Sequence, residues 1–495
     1  MNELYRKTPI MGWASWNCFR TNISETILKE QLDALIDTGL AACGYTYFNM
    51  DDGFFEGRDD GGRLLFHQER FPSGIKVIAD YAHSKGLKAG CYSEGGDNTC
   101  AFYYDNAGYH GVGVGLYGHE KQDLEMFLEE FGFDFIKVDW CGGVRLGLDE
   151  EEQYTKIAKI VDDIRKRTGR CIVFNICRWM FPGEWAVDIA DSWRTGADIT
   201  PDFKSVMEQI DNIKCLTKYC KPGHVNDPDM MQIGNGLSPV EEKTHFIMWC
   251  MVSAPLMIGC DLTKLNETTL NLLKNKELIA VNQDALCLQA YVMKEYPSDS
   301  GELLGEIWYK KLHSDSEERR AVAFVNRSEQ PLKMSASMRE LGFGGKVTLL
   351  RDIYRGIDKE ITEELNLQIM PHDCEVFVIS GDRCAEVKDI NAALEYERHW
   401  SPNEISFEKM QELVKNGAIL VDVRSKEEYE TGHIEGAVNI PHTSVFKKIE
   451  KYAKDKQEDT IILYCQSGKR CAQAKLSLEY LDYETLYTLK WNGGN

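Results

Sequence analysis

From residue 11 to about residue 284, short apolar runs alternate with segments whose apolar residues recur every three or four positions. The runs are MGWASW (11–16), YTYFNMDD (45–52), LKAGCYSE (87–94), DFIKVDW (134–140), CIVFNIC (171–177), SWRTGADI (192–199), HVNDPDM (224–230) and APLMIGCDL (254–262). They read as buried strands. The segments 25–40, 74–86, 123–132, 151–167 and 238–252 between them read as helices. Eight strand–helix units in about 275 residues is the size of a (β/α)8 TIM barrel. An open doubly wound sheet would want a Gly-rich phosphate turn after its first strand, and there is none.

Past residue 284 the helical period fades. GEIWYKKL, RRAVAFVNRS, KVTLLRDIY and CEVFVIS alternate with period two and predict an antiparallel β-sandwich over 285–381. A mixed, charged stretch at 382–404 reads as a linker. From 405 to 495 the pattern restarts as a small α/β unit, with a helix at SFEKMQELVKNG and strands at AILVDVR and TIILYC. The expected organisation is a barrel (1–284), a sandwich (285–381), a linker and a third domain, α/β in class overall.

The strand ends carry the chemistry. Trp16, Asp51, Asp52, Glu94, Asp139, Cys177, Arg178, Asp198, Asp227 and Asp229 all fall at or just past C-terminal strand ends, where such barrels collect their functional residues. A single Asp there is a common helix cap, but seven strands sharing the feature exceed what capping explains. Lys137 and Asp139, two apart on a strand, point to one side. From the residues alone that fits a structural ion pair as well as a catalytic carboxylate. Retaining glycoside hydrolysis needs two carboxyl groups, one ionised to attack and one protonated to release the leaving group. Asp139 with Asp198 is the candidate pair, and Lys137 is expected to help hold Asp139 ionised. Arg194, Asp51 and Asp52 are candidates for contacts to sugar hydroxyls, and Trp16 and Trp179 for a flat wall under the ring. The plainer alternatives are a core Trp16, a solvated turn at Asp51–Asp52 and an Arg194 paired with a surface acid.

Composition narrows the substrate. The chain has 495 residues, 43% hydrophobic and 11% aromatic, with a net charge of −22 from 57 basic and 79 acidic side chains. That charge disfavours nucleic acid and anionic membranes as partners and suits a neutral oligosaccharide or glycoside. Composition permits a homo-oligomer. No run is long enough to span a bilayer, and MNELYRKTPIMGW holds no apolar signal core, so a cytoplasmic protein is expected. Most of the 16 cysteines are scattered, often in apolar strands, and are expected to be reduced. No paired CxxC arrangement argues for zinc, and neither metal nor cofactor is expected.

Over residues 8–380 the motifs PIMGWASWN, FNMDDGF, FPSGIKVIADYAHSKGLKAGCYS, FIKVDWC, SWRTGADI, VNDPDM, APLMIGCDL, AVNQDALCLQA and PHDCEVFVIS occur in order. This part resembles the retaining α-galactosidase / α-N-acetylgalactosaminidase family, glycoside hydrolase family 27. The resemblance implies an exo-glycosidase releasing terminal α-D-galactose by double displacement, with Asp139 as nucleophile and Asp198 as acid/base. It places Trp16, Asp51, Asp52, Lys137, Cys177, Trp179, Arg194 and Met230 around the sugar. It also places Cys100 and Cys141 at positions often bridged beside the nucleophile, although a reducing compartment works against such a bridge. Two departures bear on the sugar. Glu94 stands where the family commonly has Asp. One extra methylene there is expected to crowd a C6 hydroxymethyl, which makes a β-L-arabinopyranosidase the alternative. Arg178 stands where α-galactosidases usually carry Glu, near the sugar 2-substituent, and alternatively pairs with Glu184 or faces solvent.

LVDVRSKEEYETGHIEGAVNIP and LYCQSGKRC resemble a rhodanese domain over 405–491. That resemblance makes Cys465 the loop cysteine, with Gly468 permitting the turn and Lys469 and Arg470 adding positive charge. Asp422 and Arg424 match the upstream motif. A sulfurtransferase or persulfide carrier acting through Cys465 is the further alternative, beside a docking module.

Overall fold

The computed structural model describes residues 5–104, 108–298, 302–383 and 405–466, then 470, 471, 474, 475, 478, 481 and 483–491. The expected linker falls almost wholly outside the described residues, as do Gly468 and Lys469. By compactness the chain divides into two units, residues 1–142 with 154–393, and residues 143–153 with 394–495.

In the first unit, β1 (Met11–Ala14) and β2 (Tyr47–Asn49) pair in parallel, and a small hairpin, β3 (Phe55–Arg58) and β4 (Leu64–Phe66), follows. Then come β5 (Lys88–Glu94), β6 (Phe135–Asp139), β7 (Val173–Ile176), β8 (Ser192–Arg194), β9 (Val225–Asp227) and β10 (Leu256–Ile258). The sheet order is β10-β1-β2-β5-β6-β7-β8-β9, all parallel. A parallel bridge between Met231 and Ile258 joins the free edges, so the sheet closes into the expected barrel. The strands are buried on both faces, which is why they read as continuous apolar runs rather than as alternating ones.

The strands are shorter than their sequence runs. SWRTGADI is strand only to Arg194, and HVNDPDM only from Val225 to Asp227. The polar tails leave the sheet as loops, because their carboxylates bond backbone N–H groups outside the ladder. The helices begin at ordinary caps. Ser24 accepts from Ile27 N ahead of Glu25–Asp37, and Ser238 with Glu241 forms a capping box ahead of Pro239–Met251. The segment expected as one helix at 123–132 is a short α-helix, Glu120–Leu124, running into a π-helix, Glu125–Glu130.

The sandwich follows as β11 (Tyr291–Pro297), β12 (Leu303–Lys311), β13 (Glu318–Asn326), β14 (Leu332–Ser337), β15 (Phe343–Asp352), β16 (Ile357–Asp358), β17 (Glu364–Ile369) and β18 (Cys374–Arg383). A six-stranded sheet, β11-β12-β13-β18-β15-β16, faces the pair β14-β17 across Ile307, Phe324, Met334, Leu365 and Phe377. The second unit holds a parallel sheet, β20-β19-β21-β22, built from β19 (Ile419–Asp422), β20 (Val438–Asn439), β21 (Ile461–Cys465) and β22 (Leu486–Lys490). Among the described residues no helix is long and apolar enough to cross a membrane.

Candidate active site

Lys137 and Asp139 both rise from β6, whose register sets Lys137 beside Tyr92 and Asn175, and Asp139 beside Glu94. Lys137 does not bond Asp139. Its ammonium reaches Asp51 Oδ2 at 2.9 Å and lies 5.4 Å from the Tyr92 ring centroid. Asp51 is held at the end of β2 by its backbone N–H, which donates to Ser15 Oγ at 2.9 Å. The next residue, Asp52, accepts from Gly53 N through Oδ1 at 2.7 Å, and its buried carboxyl faces the Thr99 side chain and the Ala101 backbone N–H. Burial, with the Asp51 charge adding to it, lifts Asp52 to about 7. These two acids are therefore not a solvated turn.

Arg194, at the end of β8, is 4% exposed and organises the opposite side. Its Nη2 donates to Asp198 Oδ1 at 3.1 Å and to the carbonyls of Gly196 and Ala197, and it pairs with Asp229 Oδ2 at 2.9 Å. Its Nη1 lies 3.8 Å from Cys177 Sγ. Asp198 thus sits on the loop after β8, not on the strand, and its side chain is 59% open. Asp229 holds a φ of +93°, a backbone strain kept by bonds from Ile199 N and Met230 N to its carboxylate. A cavity of about 50 Å³ beneath the site is lined by Asp51, Lys137, Asn175, Arg194, Asp229 and Met230. Trp16 opens the helix Trp16–Phe19 with the Arg20 guanidinium 5.0 Å from its ring centroid.

The two candidate catalytic carboxyls differ in charge. Burial lifts Asp139 to about 6. Lys137 pulls against it, as the spacing predicts, while Asp198 and Asp51 add to the rise. Lys137 is already paired with Asp51, so burial prevails. Burial also pushes Asp198 up, but the Arg194 guanidinium and the Lys137 ammonium outweigh it and hold that carboxyl below its usual range.

Glu94 is fully buried, with zero exposure. Its Oε1 accepts from Gly96 N at 2.9 Å and Gly142 N at 3.1 Å, and its Oε2 accepts from Cys141 N at 3.0 Å. Cys141 and Gly142 open the helix Cys141–Leu146, so Glu94 satisfies the free N–H groups at its start. The approach needs glycine. A Cβ on Gly142 would lie 2.8 Å from the Asn98 carbonyl oxygen and 2.9 Å from Asp97 N. Cys100 and Cys141 form a disulfide. A Glu94 oxygen, an Asp139 oxygen and the two bridged sulfurs lie within 4.8 Å of one another. Sulfurs bonded to each other are not thiolate ligands, so this cluster does not have metal-site chemistry.

In the second unit Cys465 ends β21 and is buried. Arg424 bonds Asp422 through Nε and Nη2, at 3.0 and 2.6 Å. Arg470 is engaged by Glu428 at 2.9 Å.

The profile of the family described as Alpha galactosidase A matches residues 8–284, and that of the Rhodanese-like domain matches residues 406–492. An α-galactosidase from Oryza sativa subsp. japonica is 38% identical over 379 residues, covering 76% of this chain and 85% of the relative. The chain belongs to the α-galactosidase A family. It is a glycoside hydrolase, and its substrates are oligosaccharides or glycosides. Alpha-galactosidase 2 from Arabidopsis thaliana is 38% identical over 77% of this chain and 91% of its own length. The solved α-galactosidase I from Mortierella vinacea superposes with a TM-score of 0.69 at 25% identity, covering 78% of this chain and all of that one.

Of the two departures from the α-galactosidase motifs, Glu94 is fully buried and spends its extra methylene on reaching the helix start, with a carboxylate oxygen within 4.8 Å of an Asp139 oxygen. Arg178 does not face solvent. It is nearly buried, with its guanidinium 5.4 Å from the Trp179 ring centroid. Sequence reasoning assigned no role to Asp229 or Asn175. The signal for Asp229 was present, since it stands in VNDPDM beside Met230. Asn175 sits inside an apolar run and was legible only from its bond to Asp227 Oδ2, at 2.9 Å.

Proposed function

We propose that the barrel releases terminal α-D-galactose with retention, Asp139 attacking C1 and Asp198 serving as acid and then base. The observation that carries this is the placement of the two carboxyls. Asp139 ends β6 and Asp198 follows β8, both at the C-terminal mouth of the barrel and each in the other's field, with Lys137 and Arg194 as the cations beside them. Asp198 gives its proton to the glycosidic oxygen as Asp139 forms the bond to C1. The Asp198 carboxylate then takes a proton from water, which attacks C1 and frees Asp139. In retaining enzymes these carboxyls stand about 5–5.5 Å apart. An aglycone covers the open face of Asp198, strips it of water and so favours its protonated form. Asp51 and Asp52 meet the sugar hydroxyls, Lys137 orients Asp51, Trp16 walls the ring, and Cys177, Trp179 and Met230 complete the pocket.

The testing experiment compares kcat/KM on p-nitrophenyl α-D-galactopyranoside and p-nitrophenyl β-L-arabinopyranoside, with NMR of the first anomer formed. Galactoside preference with α-galactose as the first product is expected. Initial β-galactose would overturn retention. Glu94→Asp should leave the sugar preference unchanged while weakening the charge-assisted bonds at the helix start. A loss of about 1–3 kcal/mol is expected, read as a lower Tm. A switch of preference toward galactoside in that variant would reinstate the arabinopyranosidase reading.

The pH profile follows from the pair. The productive state carries one proton between the two carboxyls. Above about 6 both are ionised and the leaving group has no donor, while at low pH both are protonated and no nucleophile remains. The kcat/KM profile should peak on the acid side and fall as pH rises through about 6. A profile that climbs through pH 6 to an alkaline plateau would contradict the assignment.

For the C-terminal unit we infer a carrier of sulfane sulfur on Cys465. The match to the Rhodanese-like domain and the seat of Cys465 at the end of β21 support this reading. A cytoplasmic location remains part of this proposal, and cell fractionation tests it.

A further inference from the structure

Cys465 has a neighbour that sulfur carriage alone does not require. Cys471 is helical, as is residue 470. Both thiols are fully buried and share one apolar cluster with Val421, Leu463 and Leu478. Cys471 Sγ lies 3.8 Å from the carbonyl oxygen of Leu489. Leu489 is the register partner of Tyr464, the residue just before Cys465. The Cys471 side chain is therefore folded back onto the end of β21, its thiol donating to the Leu489 carbonyl within the cluster that holds Cys465. Burial, and then the Cys465 side chain, push the Cys471 thiol well above its ordinary value.

We propose that Cys471 is a resolving thiol for sulfane sulfur held on Cys465, discharging it as hydrosulfide and closing a Cys465–Cys471 disulfide. The proposal rests on the sulfur-carrying reading of Cys465. In the charging step the Cys465 thiolate attacks the outer sulfur of a thiosulfate-class donor. The S–S bond of the donor breaks and sulfite leaves. In the discharge step Cys471 Sγ attacks Cys465 Sγ, and the bond from Cys465 to the outer sulfur breaks. The outer sulfur leaves as hydrosulfide, taking the Cys471 proton. The two cysteines are oxidised by two electrons and the outer sulfur is reduced by the same two, so no separate oxidant is needed. A dithiol reductant then reopens the disulfide. A partner in the same buried cluster turns the attack into an intramolecular step, and the apolar surroundings keep competing thiols away.

The test uses the full chain, pre-reduced, freed of reductant and incubated with thiosulfate, with intact mass and released sulfide read over time. The Cys100–Cys141 bridge is followed separately by peptide mapping. Wild type should release about one equivalent of hydrosulfide and gain a Cys465–Cys471 cross-link, about 2 Da lighter than the reduced pair. Cys471→Ser should instead hold an adduct of about 32 Da on Cys465 and release little sulfide. If wild type and Cys471→Ser both retain the adduct, the resolving role is overturned and the carrier reading stands. If neither takes up sulfur, both fail. Should Cys471→Ser not fold, the wild-type mass alone still decides between cross-link and retained adduct.

Discussion

Asp139→Ala should lose turnover on the order of 10⁴-fold, about 5.5 kcal/mol of transition-state stabilisation at about 1.36 kcal/mol per decade. The same variant should regain part of its activity with azide. A small anion enters the space of the missing carboxylate and attacks C1 from the same face, so the product is the β-galactosyl azide. The fold should survive, because Asp139 contributes activity at a cost in stability. Its folded pKa, about 6, stands above the ordinary 3.8. A raised carboxyl costs nothing below the unfolded value, costs progressively more between the two, and costs most above about 6. The rise corresponds to about 3 kcal/mol as an upper figure for a coupled pair. Asp139→Asn should therefore raise Tm at pH 7 to 8, and the gain should vanish toward pH 4. A variant with near-normal kcat would remove Asp139 from the nucleophile role. A loss of Tm at pH 8 would show that the charge is better compensated than the single contact of Lys137 with Asp51 indicates.

Asp198→Asn should split by leaving group. For an alkyl or sugar aglycone the first step needs a proton, and kcat/KM should fall by about 10²–10⁴-fold. For a dinitrophenyl galactoside, whose leaving group departs as an anion, kcat/KM should stay within about tenfold of wild type, since the first step no longer draws on the acid. Hydrolysis of the glycosyl-enzyme still lacks its base, so a rapid burst of dinitrophenol followed by slow turnover is expected. Stability should change little. Asp198 is 59% open, and Arg194 keeps its 2.9 Å partner Asp229, so the lost pair is worth roughly 0–1 kcal/mol. An equal loss on every leaving group would transfer the acid role to another residue. Asp229, lifted to about 6 by burial and the Asp198 charge while Arg194 opposes, would be the next residue to test.

The barrel and the place of its chemistry were legible along the chain because both are one-dimensional patterns. Strands buried on two faces must be apolar throughout, crossover helices must carry a three-to-four period, and polar residues at strand ends mark the open face of the barrel. Asp51 and Asp139 stand out as strand-end residues from that alone. The sandwich was partly legible. β12, β13 and β18 stand out as apolar runs buried nearly throughout, whereas β11, β14 and β17 carry too few apolar positions to stand out. What a side chain faces could not be read the same way, because it depends on contacts between residues far apart in sequence. The tertiary structure decided that Lys137 answers Asp51 and not Asp139, and that Asp198 hangs on a loop drawn in by Arg194. It decided that Glu94 reaches the start of the helix Cys141–Leu146 beside Asp139. It also brought Cys100 to Cys141 across 41 residues of chain. Spacing predicts which face of a strand a residue occupies. The proton balance of Asp139 and Asp198 is instead a sum over burial and charges from several strands, and that sum exists only once the barrel has closed.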